Sequence, residues 1–398
     1  MKRVLYITYD GILEPLGQSQ VLNYLESLSD RHQIHLMSFE KKEDIRNIDK
    51  LNNIKMRCSS SDIKWFYITY RKSLLGTFYN IFTGVICSIF VQIRYTKEVV
   101  HTRSYFSSLI GLILKVLFGT KFIFDMRGLW ADEKVDSGVW LRTSILFKAT
   151  KKLEKYFLIT ADKVISLTES GVREIRTFNY LKNKEIDFEV IRTCTNLSLF
   201  SPPANKGEID HPVKDNFFRL GYVGSVSLWY MFEEALAFFK AVKEIKPLSV
   251  MHIINKGEHN LIKEALEKYS FTNEDIILET ANHSQVADSM KQMDAGIFFI
   301  RPYYSKVASA PTKLGEFLAM GIPCITNKGI GDINKIIEYK KSGILLDNFE
   351  RDSLFKGAEQ LLVLKDEENI LNRCRRTAEK FFSLEEGIKQ YNKVYESL

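Results

Sequence analysis

The sequence predicts an α/β chain of two doubly wound, parallel-sheet domains. Three observations predict it. The length of 398 residues is too great for one compact domain and short for three. Short runs rich in Val, Ile and Phe alternate with longer helical patterns, and such strands suit parallel sheets covered on both faces. The runs also fall into two series. They are separated near Ser201–Asp215, where SPPANKGEIDHPVKD mixes proline, glycine and charge without periodicity.

Met1-Lys-Arg leads straight into VLYITY, too short and too β-branched for a signal core, so a buried strand is expected over Val4–Tyr9. Further strands are expected over Ile34–Phe39, Val99–Thr102, Lys121–Asp125, Lys163–Thr168 and Phe188–Arg192. Ahead of the third lies Ser73–Ile93, SLLGTFYNIFTGVICSIFVQI, uncharged for 21 residues and long enough to span a membrane. Its Asn80, Ser88 and Gln92, and the basic residues on either side (Arg71, Lys72, Arg94, Lys97), favour a buried or interfacial helix. A second apolar segment, Tyr105–Phe118, is shorter and interrupted by Lys115. The second series of strands is expected over Arg219–Val223, Met251–Ile254, Asp275–Leu278, Ala295–Ile300, Pro323–Thr326 and Gly343–Leu346. Helix follows Asp352. The domains expected are 1–204, 205–380, and a terminal helix over 381–398 that returns to the first domain.

The composition is 45% hydrophobic and 26% charged with 8 prolines, which excludes collagen-like, disordered and low-complexity chains. Five widely spaced cysteines without a Cys-x-x-Cys pair read as buried thiols of a reducing compartment. The net charge of +7 is uneven. Residues 1–200 carry 30 basic against 21 acidic side chains, a surplus of nine, while the remainder carries 26 against 28. A basic front half invites an anionic partner. No helix-turn-helix or basic-aromatic motif points to nucleic acid.

Ligands of open α/β sheets bind outside the carboxyl ends of the strands. After the first strand comes DGILEPLGQSQ, in which Gly11 and Gly17 permit close backbone approach ahead of a helix start. An ordinary strand-to-helix loop explains it equally well. The segment FDMRGLWADE places Asp125 and Arg127 after another strand, as a hydroxyl-orienting pair or a structural ion pair. His101, with Arg103 nearby, ends a strand at the same edge. The strongest local pattern is SAPTKLGEFLAMGIPCIT (309–326). Pro311 starts a helix whose Leu314, Phe317 and Leu318 share one face. Lys313 sits where the helix dipole favours an anion, and Glu316, one turn on, can accept both hydroxyls of a vicinal diol. A surface ion pair is the alternative.

That run resembles the donor-site signature of retaining GT-B glycosyltransferases, the group-one family of bacterial polysaccharide synthesis. LGYVGSVSLWY and MDAGIFFIRPYYSKVASAPTK resemble its other motifs in order. The resemblance implies two Rossmann-like domains and a nucleotide-sugar donor, UDP-linked, in the second. It also implies transfer with retention to a hydroxyl of a glycan or lipid-linked acceptor. By carry-over, Glu316 binds ribose hydroxyls, and Gly11, Gly17, Gly224, Ser225, Ser309, Thr312 and Lys313 line the donor, with Arg301 and Lys306 as further cations. Asp125, Arg127 and His101 are the catalytic candidates. The sequence departs from the family at position 308, Ala where many members carry Glu, and lacks the usual Arg and Lys after the first strand of the second domain. With no Asp-x-Asp anywhere, a metal-independent site without other cofactor is expected. The rival readings are a silent nucleotide-sugar-binding partner of another transferase, or a GT-B epimerase. The basic surplus over residues 55–103 implies a cytoplasmic protein docked on an anionic membrane surface, the inner face of the plasma membrane.

Overall fold

Two parallel sheets organise the chain. The computed structural model describes residues 1–202, 218–281 and 283–398; of the expected break at Ser201–Asp215, all but Ser201 and Pro202 lies outside them. Two compact units form, Met1–Thr193 with Leu384–Leu398, and Cys194–Ser383, where the sequence placed its boundaries at 204 and 380.

The first unit holds β1 (Arg3–Thr8), β2 (Gln33–Glu40), β3 (Lys64–Thr69), β4 (Val99–Arg103), β5 (Lys121–Asp125), β6 (Lys163–Ser166) and β7 (Phe188–Val190) in the order β3-β2-β1-β4-β5-β6-β7. The order reverses between β1 and β4, and a reversal leaves a crevice at the carboxyl edge. Register sets Thr8 beside Arg103 and Arg103 beside Asp125, so their side chains gather there. Strand β3 was not expected. It is an edge strand with no fully buried residue.

Helix α1 (Asn23–Leu28) follows β1, α2 (Leu74–Tyr95) follows β3, α3 (Ser104–Phe118) follows β4, and α4 (Ile145–Thr160) precedes β6. The uncharged stretch is thus α2, which packs on α3. Leu5, Ile7, Met37, Phe39 and Val100 meet Val91 of α2 and Ile110 and Leu114 of α3 in one core.

The second unit holds β8 (Arg219–Val223), β9 (Val250–Ile254), β10 (Ile276–Glu279), β11 (Ala295–Ile297), β12 (Cys324–Asn327) and β13 (Gly343–Leu346) in the order β10-β9-β8-β11-β12-β13. Its reversal lies between β8 and β11. Strand side chains alternate between two cores. Val223, Ile254 and Cys324 face α5 (Thr312–Ala319) and α6 (Ile370–Phe382). Leu220, Tyr222, Met251 and Ile325 face the helices Phe232–Ile245 and Arg351–Lys365. All five cysteines are free thiols, Cys87 alone only partly buried.

The last helix, α7 (Leu384–Glu396), belongs to the first unit and packs on α1. Two tyrosines one turn apart fix it: Tyr391 Oη donates to Asp125 Oδ2 at 3.1 Å, and Tyr395 Oη lies 2.7 Å from His101 Nδ1. His32 Nε2 and Asn392 Oδ1 add a third buried contact at 3.0 Å. Removing one partner leaves the other buried without that hydrogen bond. Tyr391→Phe is therefore expected to cost about 1–3 kcal/mol, read as a lower denaturant midpoint of the first unit. An unchanged midpoint would show that Asp125 does not need its donor.

Candidate functional site

The switch point of the second unit is built on a glycine. After β8, Gly224 turns with φ +102°, a conformation that side chains resist. A Cβ there would stand 3.3 Å from Lys313 Nζ, so the loop must pass close to that ammonium. Ser225, Val226 and Ser227 follow and wrap one carboxylate, Glu258. It accepts from Ser225 Oγ, Val226 N and Asn255 Nδ2, each at 3.0 Å, and from Ser227 Oγ. Partial burial opposes its charge, but these four donors outweigh burial and hold the carboxyl down to about 2. Asn255 also donates to Gly224 O at 3.0 Å, which ties the glycine turn to the end of β9.

Residues 299–301 leave the β11 ladder to pair with 229–231. Met231 N donates to Phe299 O, Arg301 N to Trp229 O at 2.8 Å, and Tyr230 bridges Ile300. That pairing explains why β11 stops at Ile297, short of the expected Ile300. It also fixes two aromatic rings beside the turn. Lys313 Nζ lies 3.6 Å from the Tyr230 ring centre and 5.2 Å from that of Tyr222. Lys306 Nζ lies 3.5 Å over Trp229.

Lys313, in the first turn of α5, is only 5% exposed, and its ammonium has no hydrogen-bond partner among the described residues. Burial pushes it down to about 7, against the pull of Glu316 and Glu258. Glu316, partly covered, is pushed up to about 7 by burial, and the Lys313 cation tempers the rise. An unpaired ammonium under π-faces is primed to take an anion, since the rings favour the cation but satisfy none of its donors.

The structure thus gathers Gly224, Ser225, Lys306 and Lys313 around Trp229 and Tyr230, with Glu316 on the next residues of α5. Thr312 begins α5, and Ser309 is partly buried ahead of it. Arg301 is exposed and joined to the group through its backbone. Sequence reasoning missed Glu258. Its signal was Asn255-x-x-Glu258 directly after a strand, at the edge where ligands bind.

In the first unit, Gly11 and Gly17 are each closely packed against other parts of the chain. A Cβ on Gly17 would collide with Gly11 O, and one on Gly11 would stand 2.7 Å from Glu40 Oε2. Glu40, buried at the end of β2 and also missed, accepts from Ile12 N at 2.8 Å and Leu13 N at 3.0 Å. The close approach read in the sequence is therefore made within the protein itself.

Asp125 and His101 have no exposed surface. Asp125 lies 3.7 Å from Arg127 Nη1 and from His101 Nε2, and 4.0 Å from Arg103 Nη1. Burial opposes its charge, but Arg127, His101 and Arg103 outweigh that and keep the carboxyl below its ordinary value. Burial pushes His101 down in spite of Asp125, so the imidazole is neutral at pH 7. Arg127 takes a left-handed φ of +59° and keeps part of its surface, while Arg103 reaches the half-exposed Asp10 at 3.3 Å. The two enclosed groups therefore hold the arginines in place at this edge. Among the described residues, no three His, Cys, Asp or Glu side chains converge as a metal-ligand set.

Comparison with known proteins agrees with the architecture. The family model described as glycosyl transferases group 1 matches residues 205–381. No curated protein sequence matches the chain. Among solved structures, sucrose-phosphate synthase from Thermosynechococcus elongatus aligns over 100% of this chain and 99% of its own, with TM-score 0.74 and 14% identity. Anabaena HepE, solved in complex with UDP and glucose, aligns over 100% of both chains with TM-score 0.69 and 13% identity. WaaG, a glycosyltransferase involved in lipopolysaccharide biosynthesis, aligns over 98% of this chain and 99% of its own, with TM-score 0.67 and 13% identity. At these identities the likeness to solved structures is one of fold. The group 1 match lies in the second unit, over residues 205–381, within a GT-B fold that spans the chain and is shared with these solved structures.

Proposed function

We propose that the protein moves a sugar from a UDP-linked donor to a hydroxyl of a glycan or lipid-linked acceptor in cell-surface polysaccharide synthesis, with retention of configuration. The observation that carries this reading is the buried, unpartnered ammonium of Lys313 with Glu316 one turn along the same helix. In the reading, Lys313 meets the diphosphate and Glu316 accepts from the ribose hydroxyls. The UDP complex of HepE supports the choice of nucleotide. The bond between the anomeric carbon and the diphosphate oxygen breaks, a bond to the acceptor oxygen forms, and the acceptor proton leaves with the departing diphosphate or to solvent. Negative charge grows on the leaving group, where Lys313, Lys306, Arg301 and backbone N–H groups stabilise it without a resident metal. Acceptor binding falls to the first unit, with Arg127 and Asp10 at its carboxyl edge. The protein acts in the cytoplasm.

Ala308 favours a second reading, a silent nucleotide-sugar binder, because a methyl group stands where many members carry a carboxylate. Transfer or donor hydrolysis above that of Glu316→Ala decides for the enzyme. Absence of turnover with every UDP-sugar, in the presence of nucleotide binding, decides for the binder.

Charge linkage gives a sharper test of the site. Lys313 titrates near 7 when empty, and a diphosphate needs it protonated. UDP affinity measured by calorimetry should therefore fall above pH 7, by up to about tenfold per pH unit until the bound-state value is reached. Lys313→Met should bind UDP weakly and lose this alkaline fall, whereas Lys313→Arg should flatten it while retaining affinity. An unchanged pH profile in Lys313→Met would remove Lys313 from the diphosphate.

Glu258 touches no donor in this reading and acts by shaping the loop. Glu258→Ala should weaken UDP binding by roughly tenfold, since four donors lose their common acceptor. Glu258→Gln, which keeps one acceptor oxygen, should lose less. Equal losses in the two variants would point to charge rather than loop shape.

A further inference from the structure

Helix α2 is built inside out. Its inward row, one residue every four, reads Gly76, Asn80, Gly84, Ser88 and Gln92, all buried. Its outward row reads Leu75, Phe78, Phe82, Ile86, Phe90 and Ile93, all exposed, with Phe82 at 65% and Ile93 at 70%. At 100° per residue these six fall within about 120° of one another, along about 27 Å of helix. A helix on a water-facing surface carries the opposite arrangement.

The inward polar groups are satisfied where they are. Asn80 Nδ2 donates to Tyr9 Oη at 2.9 Å and to Arg71 O at 3.1 Å, and Asn80 Oδ1 accepts from Arg71 N at 3.2 Å. Gln92 exchanges two hydrogen bonds with the backbone of Lys97, both at 3.0 Å. Gly84 admits Ile110 of α3, whose Cδ1 would lie 2.7 Å from a Cβ. Although α2 is long and apolar enough to cross a membrane, crossing would break these bonds and bare Asn80, Ser88 and Gln92 to lipid. The helix stays in the unit and only its outer face is free.

Charge identifies what covers that face. From Ile63 to Lys97 the chain has no acidic residue and five basic ones. Arg71 and Lys72 stand exposed ahead of the helix, and Arg94 stands exposed at its last turn. The nearest acid, Glu98, is held by Arg3 at 3.3 Å. An apolar stripe the length of a helix, with cations at both ends and no anion, complements a plane of anionic headgroups over acyl chains. We propose that α2 lies in the plane of an anionic lipid bilayer, with Phe78, Phe82, Ile86 and Phe90 in the headgroup–acyl boundary and Arg71, Lys72 and Arg94 on the lipid phosphates. The proposal is independent of the sugar-transfer reading and does not rest on it.

The test is co-sedimentation of the full chain with vesicles of phosphatidylcholine and phosphatidylglycerol (3:1) or of phosphatidylcholine alone. The chain should bind the anionic vesicles at low salt and release them at high salt. Removing Arg71, Lys72 and Arg94 as serines should weaken binding about fivefold per charge. The double variant Phe82→Gln, Phe90→Gln should weaken it about tenfold or more while keeping the wild-type melting temperature. Three results would overturn the proposal. One is no binding to anionic vesicles. Another is wild-type vesicle binding by the double variant. The last is a dimer in sedimentation velocity that the double variant dissolves, with no vesicle binding, which would assign the face to a second copy.

Discussion

A buried ammonium without a hydrogen-bond acceptor is costly to keep, and the second unit is arranged around one. Lys313 escapes full desolvation through the faces of Tyr230 and Tyr222, which offer charge attraction but no lone pair. Several other features follow from that choice. Position 224 has to be glycine, because the chain passes within contact of Nζ with a left-handed turn. The serine loop needs an internal acceptor, and Glu258 provides it. Residues 299–301 must abandon their strand to bring Trp229 and Tyr230 alongside. The energy stored in the unpaired cation is recovered when an anion arrives, which is how a site can prefer charge that develops on a leaving group.

The carboxyl edge of the first unit uses its charges in the opposite way. Asp125 is compensated from within, by Arg127, Arg103, neutral His101 and the Tyr391 hydroxyl of the returning helix. No exposed surface is left on Asp125 or His101 for a substrate. What that edge offers to solvent is Arg127 and Asp10, held in orientation by the groups beneath. One edge is thus neutralised from within and the other left with an unpaired cation, on two parallel sheets that reverse order in the same way.

Much of this was legible in the sequence, and the gaps have physical causes. Twelve of the thirteen strands read as apolar runs, most of them in the interior of the sheets, where parallel strands are buried on both faces. The exception, β3, lies at the edge and is half wet. Lys313 and Glu316 were legible because helical spacing and a proline start place them without any knowledge of the rest. Glu258, Glu40, Tyr391 and Tyr395 were not, since each acts across tens to hundreds of residues on a partner that local pattern does not reveal. His101 and Asp125 are legible at the correct edge, as catalytic candidates or as a packed histidine and a structural ion pair; their burial beside Arg127 and Arg103 is set by contacts that local pattern does not reveal. The uncharged stretch was read as a helix, but its length alone left open which side faced the core. The four-residue row of Gly, Asn, Gly, Ser and Gln decides that, and it leaves the basic surplus of the first unit beside an apolar outer face.

The most direct measurement is the protonation of the Lys313 amine itself, followed by NMR of side-chain-labelled protein through a pH titration with and without UDP. The amine should titrate near 7 in the empty protein and move to a distinctly higher pH when UDP is bound. An ordinary lysine value in the empty protein, or a titration that UDP leaves in place, would contradict it.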